Sequence, residues 1–263
     1  MRFARDPKTR LLVPQRDICA IPGLSETGLQ WFAEGGGNIF GPINAETGDL
    51  SQFTGTTKDG TITAFDAHAD ALCHGSYGFR IIFDGAGNDA FGSKTIDEST
   101  ELYCRAYVKF GAAFTGSFGS TAYLIRFTDG GTVKAGFIVT RRTGGAGNCD
   151  NWGVFATGAV TAYSTTNFSL NAWHYIELYW KSGEAGGHVT AWVDGDQIFD
   201  DADTTDAAID SVSVGFVQGG FAPAATETLY FDDILCSTGA IGAYSEAEGS
   251  PVVIMNQLQR RRN

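Results

Sequence analysis

Two stretches of strict alternation decide what this chain can become. In Trp173–Trp180 (WHYIELYW), Ile176, Leu178 and Trp180 fall on one face, and Tyr175, Glu177 and Tyr179 on the other. A period of two is that of a half-buried strand. Glu101–Phe110 (ELYCRAYVKF) repeats the pattern: Leu102, Cys104, Ala106, Val108 and Phe110 face a core, while Tyr103, Arg105, Tyr107 and Lys109 face away. Beyond a glycine-rich break at 183–187 come His188–Val193 and the dipeptide Asp194-Gly195. That dipeptide supplies the left-handed backbone of a two-residue hairpin turn before Gln197–Phe199.

Further strands are expected at Thr61–Phe65, Gly78–Phe83, Tyr123–Phe127, Gly136–Thr140, Trp152–Ala156, Ser211–Val217 and Leu229–Cys236. About a dozen strands exceed one open sheet and divide into two. The 35 glycines and the missing helical period agree with this. The 263 residues suit a single sandwich. The chain therefore reads as all-β: a two-sheet antiparallel jelly-roll sandwich over 43–241, preceded by an extended N-terminal arm (1–42) and followed by a C-terminal tail (242–263). Pro7, Pro14, Pro22 and Pro42 punctuate the arm, and the tail ends in Pro251–Met255 and Arg260–Arg262.

The formal charge of −12 hides an asymmetry. Residues 1–16 and 251–263 hold eight bases and one acid, which leaves ten bases against 29 acids between them, formally −19. An acidic body disfavours nucleic acid and anionic membranes, while basic ends suit an acidic partner or a neighbouring copy of the chain. Homo-oligomeric assembly is expected on that ground. The five cysteines form no C-x-x-C motif; Cys104 and Cys236 fall within strands, where a thiol acts as a small buried hydrophobe, so reduced thiols are expected. Leu11–Val13 is too short for a secretory core, and no run approaches the roughly 20 apolar residues of a membrane span. These features imply synthesis in a cytoplasm without a classical export signal.

The pattern W-x-x-I-E-L-x-W … V-x-x-W-V-D-G-x-x-I, closed by Leu229–Cys236 (LYFDDILC), resembles the laminin-G-like or concanavalin-A-like lectin/glucanase sandwiches. Ile43–Phe53 (INAETGDLSQF) is similar to the opening of sandwich-type carbohydrate-binding modules and phage-borne lectin-like domains. The resemblance spans roughly 43–240. It implies a structural calcium ion held by Glu46, Asp49, Asp232 and Asp233, where the first and last strands meet. Against that stands a reading in which Asp232 and Asp233 meet solvent or an arginine. The acidic run Asp200–Asp206 lacks the glycine and terminal glutamate of a calcium loop and reads as a solvated turn.

The glucanase string E-x-D-x-x-E, which sets two carboxylates at hydrolytic separation, does not occur. Of the strands used by the alginate-lyase relatives, Tyr107-Val108-Lys109 matches Y-x-K, but Q-x-H is missing. His68, His74, His174 and His188 stand in no triad or metal spacing; His174, on the face of Ile176, reads as a satisfied near-core histidine. What remains is the outward face: Tyr103, Arg105 and Tyr107, then Tyr175, Glu177 and Tyr179, then Trp192. Such rings stack on sugar C–H groups while Arg and Glu read hydroxyls. A face covered by an arm, a loop or a partner would need the same aromatics.

The sequence thus suggests a non-enzymatic structural or adhesive virion component, decorating a capsid or associated with a tail. It would bind host-surface glycan and attach to other virion proteins through arm and tail. A stand-alone carbohydrate-binding module, or a polysaccharide lyase or glycoside hydrolase with dispersed residues, are the other classes.

Overall fold

The computed structural model describes residues 3–5, 12–14, 37–60, 62–85, 89–112, 114, 121–140, 151–157, 162–219 and 225–242. The chain divides into two units. One comprises residues 1–32 and 244–263, in which β1 (Phe3–Arg5) and β2 (Leu12–Pro14) pair antiparallel. Most of the expected arm and tail lies outside the described residues.

The second unit, residues 33–243, is the sandwich. Its strands are β3 (Asn38–Ile43), β4 (Gly55–Lys58), β5 (Ala64–His68), β6 (Gly78–Asp84), β7 (Ala90–Ser99), β8 (Glu101–Phe110), β9 (Thr121–Asp129) and β10 (Thr132–Thr140). They continue with β11 (Asn151–Ala156), β12 (Ala162–Asn167), β13 (Trp173–Lys181), β14 (His188–Val193), β15 (Asp196–Ala202), β16 (Ile209–Gly219) and β17 (Ala225–Ser237). Sheet I has eight strands, ordered β15-β14-β13-β8-β17-β6-β5, with β3 also on β17; sheet II has seven, β12-β11-β10-β9-β16-β7-β4. Among the described residues no helix is long and apolar enough to cross a membrane.

The two alternating stretches become neighbours. β8 and β13 pair from Trp173 opposite Lys109 to Lys181 opposite Glu101. Ile176, Leu178 and Trp180 thereby lie beside Ala106, Cys104 and Leu102, all fully buried. Sheet II closes the core with aromatics: Phe83 of β6 meets Phe216 of β16 at 4.7 Å, and Phe110 of β8 meets Trp152 of β11 at 5.8 Å. These tilted and edge-on contacts suit the ring quadrupole. The Trp180 indole N–H, buried with its ring, donates to Asp203 at 2.8 Å.

Each expected strand has a counterpart, the one expected at Thr61–Phe65 forming over Ala64–His68 with Thr61 outside the described residues. β3, β4, β7 and β12 form as well, and β3 begins ahead of the expected domain boundary at residue 43. β7 hides its inward face from a hydropathy reading because it brings Gly92 there: a Cβ on Gly92 would sit 2.5 Å from the Phe53 ring. Cys104 and Cys236 face each other across β8 and β17 as buried free thiols, as expected. Cys73, in a loop where the strand-burial argument has no force, is instead disulfide-bonded.

β17 organises sheet I. One of its edges runs along β8; the other pairs with β6 as far as Phe231 and with β3 from Ile234. Asp232 and Asp233 fall in the gap between those two partners, and Asp233 takes a left-handed φ of 48°.

Val108 is fully buried on β8. Val108→Asp would set an unpaired carboxylate in the core, at a cost of several kcal/mol against a total stability of about 5–15 kcal/mol. The variant should show no cooperative unfolding by circular dichroism; a soluble, cooperatively melting variant would contradict the face assignment.

Candidate functional site

The outward residues of β8 and β13 do share a face, but its centre is covered. Arg105, Tyr107 and Glu177 are only 1%, 3% and 4% exposed. Glu177 stands opposite Arg105, and its two oxygens accept the backbone N–H groups of Ile241 and Gly242 at 2.8 and 2.9 Å. Arg105 donates to the Gly242 carbonyl at 2.9 Å. Together they clamp the segment that follows β17 over sheet I. Burial raises the pKa of the Glu177 carboxyl, against the pull of those N–H groups and of Arg105. An open platform containing Arg105 and Glu177 is therefore not what forms; the pair is occupied by the chain itself.

Around that clamp the rings fall into two groups. Tyr103 stacks on Tyr179 at 4.3 Å and lies 24° from the plane of Trp192 at 6.5 Å; all three are half-buried. Tyr107 meets Tyr175 at 6.0 Å and the His74 ring edge-on at 5.0 Å. Beyond them the Lys109 ammonium sits between Trp173 and Tyr230, 5.0 and 4.6 Å from the ring centroids, and burial lowers its pKa.

The expected calcium ligands separate. Asp232, fully buried, accepts from the N–H groups of Cys73, His74 and Asp233 at 2.8–2.9 Å. Burial, and then the neighbouring Asp233, raise its pKa well above the ordinary carboxylate range. Asp233 is hydrogen-bonded to His74 Nδ1. Ligand atoms of His74, Asp232 and Asp233 lie within 4.8 Å of one another. Glu46 holds the same loop from its far end, accepting from Ser76 and Tyr77 at 2.6 and 2.9 Å. Asp49 is elsewhere, its carboxylate engaged by Thr47 and Ser51 within its own exposed turn. The sequence reading missed His74, whose place beside the aspartates is set by the gap in β17 rather than by spacing.

A further site lies on the outer face of sheet II, away from every residue expected to bind a ligand. A groove of about 370 Å³ is lined by Phe91, Ser93 and Thr95 of β7, Ser211 and Ser213 of β16, Arg126 and Thr128 of β9, with Asp210 and the Gly130-Gly131 turn alongside. The Arg126 guanidinium rests over the Phe91 ring at 5.0 Å and donates to Ser213 Oγ at 3.4 Å. Its buried Nε has no hydrogen-bond partner among the described residues, which also place no carboxylate within ion-pair distance of it. Burial lowers its pKa, partly offset by Asp89. Gly215 pairs with Phe91 beside the groove, and at φ 143° a Cβ there would meet the Phe91 backbone at 2.6 Å. The one signal in the sequence was the run Ser211-Val212-Ser213-Val214, apolar inward and hydroxyl outward.

Sheets, core and faces together define an antiparallel two-sheet β-sandwich. No protein-family model and no curated protein matches the chain. Among solved structures it is similar to the cellulose induced protein Cip1, at 16% identity over 76% of this chain and 98% of that one, with a TM-score of 0.54. It is similar also to the alginate lyase Aly36B, at 13% identity over 76% and 95%, TM-score 0.51. A sialidase matches at 10% identity over 78% of this chain and 18% of that chain, TM-score 0.52. At such identities the likeness concerns the fold alone.

The raised pKa values carry a sign. A carboxyl whose folded-state pKa exceeds its unfolded value of about 4 contributes stability that is fully present below the unfolded value and is lost as pH climbs through the folded one. Asp232 and Glu177 are such groups. Asp233→Asn removes one cause of the Asp232 shift, so its urea midpoint should fall less than the parent's between about pH 4 and 7. Parallel pH profiles for the two proteins would refute this account.

Proposed function

We propose that the sandwich holds a glycan without cutting its backbone, and that it does so in the Arg126 groove. One observation carries this reading: a desolvated guanidinium whose Nε has no partner among the described residues stands among outward hydroxyls on the outer face of sheet II. That combination of a ring, a cation and short hydroxyls is suited to reading sugar hydroxyls. The half-buried Tyr103, Tyr179 and Trp192 offer a second aromatic surface on sheet I. Binding is favoured over lyase chemistry because Tyr107, the tyrosine of the Y-x-K match, is buried and cannot meet a substrate. In its finer form the reading is that of an adhesive or structural virion component, anchored to neighbouring copies or other virion proteins by its basic ends.

We further propose calcium at the meeting of first and last strands. The buried like-charged pair Asp232 and Asp233 motivates it, since carboxylate oxygens suit a hard cation and a divalent charge would relieve their repulsion. Asp232 and Asp233 would hold the ion beside His74; Glu46 is committed to Ser76 and Tyr77, and Asp49 to its own turn.

On a glycan array the full chain should retain at least one glycan. Arg126→Ala should weaken it about ten- to a hundredfold, the worth of a charged hydrogen bond, while Trp192→Ala leaves it unchanged. Failure to bind any glycan would sink the proposal; sensitivity to Trp192 alone would move the site to sheet I. Cosedimentation with capsid or tail particles tests the virion assignment. Calcium at about a hundred times its Kd should add roughly 2.7 kcal/mol of stability, raising Tm by several degrees, and equal melting curves in calcium and chelator would remove the ion from the account.

A further inference from the structure

Ser169, His174 and Asp194 form a continuous hydrogen-bonded chain. Ser169 Oγ lies 2.9 Å from His174 Nε2, and His174 Nδ1 lies 2.7 Å from Asp194 Oδ2. The three come from different elements: the turn between β12 and β13, the second residue of β13, and the hairpin between β14 and β15. Their contacts define the tautomer. An aspartate only accepts, so Nδ1 carries the proton; Nε2 is then a bare acceptor, which also receives the Ser169 backbone N–H at 3.3 Å. This is the state of imidazole required to take a proton from a hydroxyl.

Each member is held. Asp194 Oδ1 accepts the Tyr175 N–H at 3.0 Å, and the Asp194 N–H returns a bond to the Tyr175 carbonyl at 2.9 Å. The His174 ring packs edge-on against Trp152 at 5.5 Å, and its side chain is 13% exposed. Ser169, by contrast, is exposed. A fixed, half-hidden base behind an accessible hydroxyl is the layout of an activated nucleophile.

We propose that Ser169, His174 and Asp194 are a serine esterase site for compact, uncharged acyl esters of alcohols. Ser169 Oγ attacks the acyl carbonyl while its proton passes to His174 Nε2. The tetrahedral intermediate collapses, the ester C–O bond breaks, and the leaving alkoxide takes that proton as alcohol. Water, deprotonated by the same Nε2, then hydrolyses the acyl-serine to a carboxylic acid and restores the hydroxyl. Once Nε2 is protonated it no longer accepts the Ser169 N–H, which is freed to face the developing oxyanion. Asp194 is a positioning residue: it holds the tautomer and supports the imidazolium. The formal charge of −12 and the adjacent Asp194 disfavour anionic esters, and an exposed turn gives a compact acyl group direct approach. The site shares no residue with the Arg126 groove and does not rest on the glycan reading.

The test treats the full chain with a fluorophosphonate and maps the adduct by peptide mass spectrometry. In parallel, hydrolysis of p-nitrophenyl acetate is followed. The expected result is a single adduct on Ser169 and turnover that Ser169→Ala lowers by at least about 10³-fold and Asp194→Asn by about 10⁴-fold. For Asp194→Asn the loss should lie in kcat, with KM and Tm kept, because Asn retains the Oδ1 acceptor for Tyr175. His188→Ala, which removes the surface imidazole paired with Asp200, should change nothing. Labelling of the unmodified chain decides the matter even if a variant misfolds. No adduct on Ser169, or turnover equal in Ser169→Ala and parent, overturns the proposal.

Discussion

The pairing of β8 with β13 is the constraint from which the rest of the sandwich follows. Nine residue pairs run from Trp173 and Lys109 to Lys181 and Glu101 without a bulge. A one-residue slip would exchange the two faces of either strand, moving Leu102, Cys104 and Ala106 out of the core. The same register sets Arg105 opposite Glu177 on the outer face, and opposite charges directly across a ladder attract. That pair then binds the chain at Ile241 and Gly242. A single registration thus builds the core on one side and fastens the closing segment on the other.

Much of this architecture was legible because alternation and Asp-Gly turns are local signals. Residues that face a core every second position announce their strand, as Glu101–Phe110 does. β7 was silent because Gly92 and Lys94 occupy inward positions; Lys94 reaches past the core to the Gln52 carbonyl at 3.0 Å. Alternation also names a face without saying what lies above it. Arg105 and Glu177 were correctly placed outward, yet their partners come from more than 60 residues further along the chain. The groove at Arg126 and the meeting of Ser169, His174 and Asp194 are tertiary products of strand order, on which spacing in the sequence is mute.

Carboxylates do in this protein much of what secondary structure does not. Backbone N–H groups in loops need acceptors once they leave water, and an acidic chain has many to offer. Asp232 serves residues 73, 74 and 233, Glu46 serves 76 and 77, and Glu177 serves 241 and 242. The histidines follow the same economy of charge: His68, His74, His174 and His188 each meet an aspartate. The negative surplus is therefore not merely a solvated coat.

The central position of β17 has a consequence for how the chain is made. Sheet I is completed by residues 225–237, which insert between β8 and β6 and reach back to β3, about 200 residues earlier. During synthesis, β6 and β8 leave the ribosome with open edges and an unfinished apolar face, and must wait for residues 225–237 before they are joined. Such an interval exposes strand edges to other nascent chains. Strand order of this kind makes shelter of the growing polypeptide, as well as the stability of the finished fold, a determinant of yield to be expected on physical grounds.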